Sequence, residues 1–282
     1  MTVRITLALL FIVPAAMAYP WPSTTDRWLL GIAVAAVIIL FARWRGSFFT
    51  TLLARRLAVW RRNQSGGRRR STPRTRTTAL LRVAPESAEQ DLPLAVIAGY
   101  LDRYGIRADS VRITGWDAGP ARAKWIGLTL DAADNLAALQ ARSPDIPLRE
   151  TAEVAVRRLA DHLREIGCSA RIADVSEVPA LPAGKETWRG VRTESGYVAA
   201  YRVAADDSLD QTLSAVRSHE SREIWTALEF SGTATKPTVV AGCAIRTDER
   251  PASAPLPGLT PQRGRQRPAL EALHPLSVQR LG

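Results

Sequence analysis

Residues 124–167 read KWIGLTLDAADNLAALQARSPDIPLRETAEVAVRRLADHLREIG. Lys124 to Asp131 has the aromatic and aliphatic content of a buried strand, and Asp131 is placed to cap a helix running through Leu139. Pro144 and Pro147 then break the chain. From Leu148 to Ile166 the apolar residues recur at helical spacing. Ala152, Val156, Leu159, Leu163 and Ile166 form one inward stripe, and Gly167 ends the helix. A strand followed by helices in one stretch predicts an α+β domain with helices covering one or both faces of mixed sheets.

The flanking sequence extends that pattern. Leu92 to Tyr104 is amphipathic and predicts a helix stopped by Gly105, and Ser110 to Trp116 alternates as a strand does. Ser169 to Val175 is strand-like. After a proline-containing loop over 176–186, Thr187 to Thr193 and Tyr197 to Val203 flank Glu194-Ser195-Gly196 as a hairpin. Ser208 with Gln211 has capping-box spacing for a helix to about His219. Glu223 to Ser231 and Thr238 to Thr247 read as two more strands. LTLDAADNLAAL at 128–139 parallels YRVAADDSLDQTL at 201–213, which suggests two related halves. The last stretch, 248–282, holds six of the eighteen prolines. It predicts an extended tail with one helical turn near Ala269 to Leu273, whose leucines dock on the domain or on a partner.

The N-terminal region has a different character. Two apolar runs, Ile5 to Ala18 and Trp28 to Ala42, are each shorter than the ~20 residues that cross a ~30 Å hydrocarbon core. Flanking residues can lengthen them: Trp28 and Trp44 suit the headgroup level, and Arg43 can snorkel. Ala16-Met17-Ala18 also fits a signal-peptidase site, so the first run is either a retained helix or a cleaved leader. Both readings put the following arginines on the cytoplasmic side. Twelve arginines and no acidic residue fall within 43–82, whereas the formal net charge of all 282 residues is +11. The basic character therefore belongs to one stretch, and the remainder is near neutral. That argues against a basic globular nucleic-acid binder.

Within this stretch, Ser47 to Arg62 predicts a helix with Phe49, Leu53, Leu57 and Trp60 on one stripe and Arg55, Arg56, Arg61 and Arg62 on other faces. It can lie on the anionic leaflet, extend the second membrane helix toward a partner, or act only as a stop-transfer flank. Together with Arg45, these tryptophans and arginines are the candidate membrane-flanking and interaction residues. Residues 63–78 read as a flexible basic linker. The chain divides into two transmembrane helices over 1–46, a basic juxtamembrane helix and linker over 47–79, a cytosolic mixed α/β-sheet domain over 80–247, and the tail over 248–282.

Catalytic signatures are scarce. The sequence has no P-loop, no G-x-G-x-x-G, no H-E-x-x-H, no C-x-x-C and no G-x-S-x-G. Asp206-Asp207 after a strand is the pair a metal-dependent, glycosyltransferase-like enzyme would use, although turn and capping chemistry favours aspartate at such places as well. Asp131 with Asp134 is a similar pair. His162 sits mid-helix beside Asp161, Cys168 follows a helix end, and Cys243 lies in an apolar strand. Trp116, Trp125, Trp188 and Trp225 suit a core, and one left exposed would suit a partner anchor. No residue is assigned a catalytic role, and no cofactor or metal is expected. An anionic-lipid-binding module is the other alternative.

Several segments together carry a resemblance. WRG at 44–46, LARRLAVWRR at 53–62, PLAVIAGYLDRYGIRADSVRIT at 93–114, residues 125–167, ETWRGV with GYVAAYRV within 186–203, and the tail 246–277 resemble the EccE component of actinobacterial ESX (type VII) secretion systems. The resemblance covers nearly the whole chain and is closest to the paralogue linked to metal acquisition. It implies a non-enzymatic inner-membrane subunit beside EccB, EccD and the ATPase EccC. It also implies two membrane helices, a cytosolic domain, and export of small helical WxG-type and PE/PPE-type substrates.

Overall fold

The computed structural model describes residues 47–64, 75–84 and 92–282, with single positions at 10, 12, 13, 17, 28, 31, 34, 43 and 44. Most of the expected apolar runs, Ala16 and Ala18 of the cleavage-like site, Arg45 and most of the expected linker lie outside the described residues. The chain forms two compact units, Met1–Gly66 and Gly67–Gly282. In the first, β1 (Arg43–Trp44) pairs with β2 (Ser47–Phe48), and α1 (Phe49–Gln64) follows. Arg61 and Arg62 occupy its last turn, where cations complement the helix dipole. Among the described residues no helix is long and apolar enough to cross a membrane.

The second unit is built on an eleven-stranded sheet in which every described pairing is antiparallel. It opens with β3 (Arg76–Val83), which starts inside the stretch expected to be linker. Next come α2 (Leu94–Ala98), a 3-10 turn (Gly99–Leu101) and the short β4 (Asp102–Arg103). The single long helix expected over 92–104 is therefore a short helix that unwinds into a hairpin, because Tyr100 and Leu101 turn inward to the core. β5 (Ile106–Ala118) and β6 (Ala121–Asp131) form a hairpin through Gly119-Pro120. Gly119 has φ +60, which a two-residue hairpin loop requires of its first residue.

α3 (Leu136–Gln140) follows, and its N-cap is Asn135 rather than Asp131. The Asn135 side chain bonds Arg107 N and O and the Asp131 carbonyl, which ties the start of β5 to the end of β6. α4 (Leu148–Glu165) buries Ala152, Val156, Leu159 and Leu163, each buried Val or Leu contributing about 1.5–3 kcal/mol, while Ile166 past its end is exposed. β7 (Ala170–Ile172), β8 (Lys185–Glu186), β9 (Val191–Thr193) and β10 (Gly196–Val203) come next. They are followed by α5 (Leu209–Arg217), β11 (Ile224–Thr233) and β12 (Lys236–Thr247).

The strand order is β7-β3-β6-β5-β11-β12-β10-β9-β8. It reads alike outward from the β5/β11 seam. β3, α2, β5 and β6 on one side match β10, α5, β11 and β12 on the other. In each set the second hairpin strand is inserted between the two strands joined by the helical crossover. That insertion makes all neighbours antiparallel, and it is why the mixed sheets suggested by strand–helix alternation do not form. The recurrence is offset from the sequence parallel, which aligns β6–α3 with β10–α5.

The 3-10 turn, α4 and α5 share one core with Leu81, Val111, Ile126, Leu128 and Tyr201 on one sheet face. On the opposite face, Trp225, Ala227 and Ala244 pack with Leu270 and Leu273. These last two come from the C-terminal stretch. Where an extended tail with one turn is expected, the chain forms β13 (Leu259–Pro261), paired to β10, and the two-turn α6 (Gln266–Leu273). Gln266 is fully buried and bonds both Ala200 N and Ala200 O. Past α6 the chain crosses the seam. A Cβ added to Gly127 would lie 2.7 Å from the Pro275 carbonyl, so only glycine fits there.

The crossing strap is held by Arg112, which faces Glu229 across the seam. Arg112 Nε and Nη2 donate to Glu229 Oε2 at 3.1 and 2.5 Å. Nη1 donates to the carbonyls of His274 (3.1 Å) and Ser277 (3.0 Å), and Nη2 to that of Gln279 (2.5 Å). All five N–H donors of the guanidinium are thus engaged. Burial pulls the Arg112 pKa down and the Glu229 carboxylate opposes that pull, so the guanidinium stays charged. Arg112→Met leaves the buried Glu229 with only the more distant Arg280, at 3.8 Å, and three carbonyls without this donor. It is expected to cost about 3–5 kcal/mol in thermal unfolding and to open the strap to trypsin at Arg280. Arg112→Lys offers a point charge in place of a planar fork and is expected to recover only part of the loss. An unchanged melting temperature and an uncut strap in Arg112→Met would refute this role.

Candidate interaction surfaces

Each candidate residue is positioned by its local backbone. Trp28 is helical and 70% exposed. Arg43 and Trp44 form β1. In α1 the spacing of four and then three residues brings Leu53, Leu57 and Trp60 onto one stripe, and they are 59%, 51% and 56% exposed. Arg56 and Arg61 are exposed and Arg55 and Arg62 half-buried, and each of the four has a polar or ionic contact. An apolar stripe on a cationic helix matches an interface with two demands: somewhere dry for the indole and leucines, and negative charge nearby.

The residues weighed for chemistry have structural partners. Asp206 Oδ1 accepts hydrogen bonds from the Ser208 amide (3.0 Å) and hydroxyl (2.6 Å), which close a turn before α5 and hold its carboxyl below the ordinary carboxylate range. Ser208 thus turns back to Asp206 and makes no side-chain cap bond to the helix it precedes, so the expected capping box does not form. Asp131 ends β6. It takes Arg76 Nε at 2.7 Å and the Ala133 amide at 2.9 Å. Burial alone would raise its pKa, and these two contacts outweigh that and lower it. His162 Nδ1 lies 3.3 Å from Arg103 Nη1. Among the described residues no group of three His, Cys, Asp or Glu is arranged to hold a metal ion.

Three of the four strand tryptophans surround the seam. Trp125 and Trp225 are fully buried. Trp116 faces Trp225 across β5/β11 with ring centres 6.3 Å apart. Both indoles donate to Glu223 Oε1, at 3.2 and 2.9 Å, and Glu223 Oε2 accepts from Arg246 Nε at 2.8 Å. Trp188 is half-buried near the strap-side edge, where its carbonyl accepts from the Gly264 amide.

With this geometry established, the comparisons identify the setting. A family model described as "Putative type VII ESX secretion system translocon, EccE" matches residues 119–203, from the β5–β6 turn to the end of β10. The match places the fold among the translocon components of type VII secretion systems. The chain is 54% identical over 282 residues to the ESX-3 secretion system protein EccE3 of Mycolicibacterium smegmatis, across 100% of this chain and 90% of that protein. It is 56% identical over 290 residues to the protein of that name in two Mycobacterium tuberculosis strains, across 99% of this chain and 86% of theirs. The chain belongs to the EccE family.

Both cysteines are buried, and neither is in a disulfide. Burial pushes the Cys243 thiol up to about 12. The folded chain is therefore expected to resist iodoacetamide at both positions until it is denatured. Alkylation that levels off above pH 9, as for an ordinary thiol of pKa ~8.5, would contradict this burial.

Proposed function

We propose that this chain is a non-enzymatic structural subunit of the inner-membrane core of a type VII secretion system. In this reading the two N-terminal apolar runs anchor it, the arginine-rich flank fixes the folded unit on the cytoplasmic side, and the chain supports assembly and stability of the translocon. The partners are the other membrane components, EccB, EccD and the ATPase EccC, and the exported cargo is small helical WxG-type and PE/PPE-type proteins. Family membership supports this, and the exposed Leu53, Leu57 and Trp60 stripe of α1 is the observation that carries the membrane or partner-helix contact. The turn-forming role of Asp206 removes the main motive for a metal-dependent transferase.

The test is a mild-detergent extraction of tagged full-length chain, followed by a native gel and mass spectrometry of the co-migrating bands. The expected result is a large assembly containing a multidomain ATPase and a many-helix membrane protein. A lone protein or a small homo-oligomer would overturn the reading. In the same assay the triple variant Leu53→Glu, Leu57→Glu and Trp60→Glu is expected to reduce the share in the large assembly roughly tenfold, while the second unit keeps its melting temperature.

A further inference from the structure

A cavity of about 210 Å³ opens between the N-terminal half of α4 and the β4–β5 turn. Val154, Ala155 and Arg158 of α4 form one wall, and Tyr100, Arg103 and Tyr104 form the other. Ile106 and Leu128 also line it, and so does Arg142. The guanidinium carbon of Arg103 lies 5.0 Å from the Tyr100 ring centre and 5.3 Å from that of Tyr104, and the Arg158 carbon lies 4.7 Å from the Tyr104 centre. The two tyrosine rings meet edge to face at 6.4 Å. The Tyr100 hydroxyl donates to the Arg158 carbonyl at 3.0 Å, which locks the two walls together.

Two observations set this cavity apart. Among the described residues, Arg103, Arg142 and Arg158 have no carboxylate at ion-pair distance, and the single acidic residue of the lining is Glu150. Three cations thus face one anion around an apolar floor. Second, Tyr104 and Gly105 form a two-residue hairpin loop with φ of +57° and +70°. That turn favours asparagine or glycine at its first position, and a bulky side chain is penalised there. Ile146, beside the lining Pro147, is the other non-glycine residue of positive φ among the described residues. A tyrosine held against local preference, 55% exposed and braced by two arginines, is placed for contact and not for the turn.

We propose that this cavity anchors an acidic segment of a partner protein. One apolar or aromatic side chain of that segment enters between Tyr104 and Val154, and flanking carboxylates pair with Arg103, Arg142 and Arg158. Charge complementarity selects the acidic partner. Size selects a side chain: the volume falls below the ~300–1,000 Å³ of small-molecule sites. The proposal does not depend on which complex the chain joins.

The test places the photoreactive residue p-benzoylphenylalanine at position 154 of the full chain in its native membranes. After irradiation the adducts are mapped by mass spectrometry. The expected result is one partner segment containing several Asp or Glu residues. Its adduct falls about tenfold in Arg158→Glu and returns when carboxylates of the captured segment are changed to Lys. Tyr104→Asn suits the turn better, so it is expected to hold or raise the melting temperature while losing the adduct. Any of several results would overturn the proposal: no protein adduct, a captured segment without carboxylates, or an adduct indifferent to Arg158→Glu or Tyr104→Asn. Capture of the chain's own acidic stretch at 85–91, or loss of the adduct on adding inorganic phosphate or ATP at millimolar concentration, would do so as well.

Discussion

The buried pairing of Arg112 with Glu229 is the constraint around which the folded unit closes. Both residues sit at the middle of the β5/β11 seam, and their side chains are 3% and 2% exposed. Neither half of the sheet can bury its own member without the other, so the pair couples the halves. A carboxylate alone would leave three of the five guanidinium donors unmatched in a dry site. The strap supplies the missing acceptors as backbone carbonyls, and in return the guanidinium fixes a segment that has no regular structure of its own. Arg280, whose Nη2 is 2.7 Å from Asp109 Oδ1, closes the far end. Asp109 sits at the register shift between β5 and β6, where the pairing skips from Ala108 to Ser110.

The arrangement divides labour between the faces of one sheet. One face carries α4, α5 and the 3-10 turn over an aliphatic core. The other is covered largely by residues that follow β12, with α6 over the second half and the strap over the centre. Arg112, Glu229 and Asp131 inside are matched to specific neighbours, and Asp206 is committed to its turn. Such a body suits an assembly part. Its distinctive exposed features are the apolar α1 stripe and the Tyr104 turn.

How much of this could be read from residues alone differed by element, for physical reasons. α4 was legible because eighteen residues give five turns of periodicity, and its predicted inward residues through Leu163 are all buried. β3 was obscured because its arginines continue a basic run. Arg76 and Arg82 pair with Asp131 and Glu177, partners 55 and 95 residues away that no local window includes. The helix expected over 92–104 ends at Ala98 and tightens into a 3-10 turn, and positive φ at Tyr104 and Gly105 then makes a hairpin from what reads as a helix stop. The tail's leucines signalled docking, but prolines and arginines hid the strand and the helix. Among candidate site residues, the α1 stripe follows from spacing alone. The Tyr104 cavity does not, since it joins a turn, a helix wall and Arg142 from three separate stretches.

The seam also has a consequence for how the chain is made. Arg112 and Glu229 are 117 residues apart, and the carbonyl of Gln279 lies 167 residues beyond Arg112. A ribosome at ~5–20 residues per second exposes the first half many seconds before its electrostatic complement exists. Until β11 emerges, β5 presents an unpaired edge, and its Arg112 carries a charge that the finished molecule keeps dry. That charge is a safeguard: a solvated arginine on an open edge disfavours sheet-to-sheet sticking between nascent chains. The residue that closes the mature interior thus finds its last acceptors only when the C-terminal strap has been made.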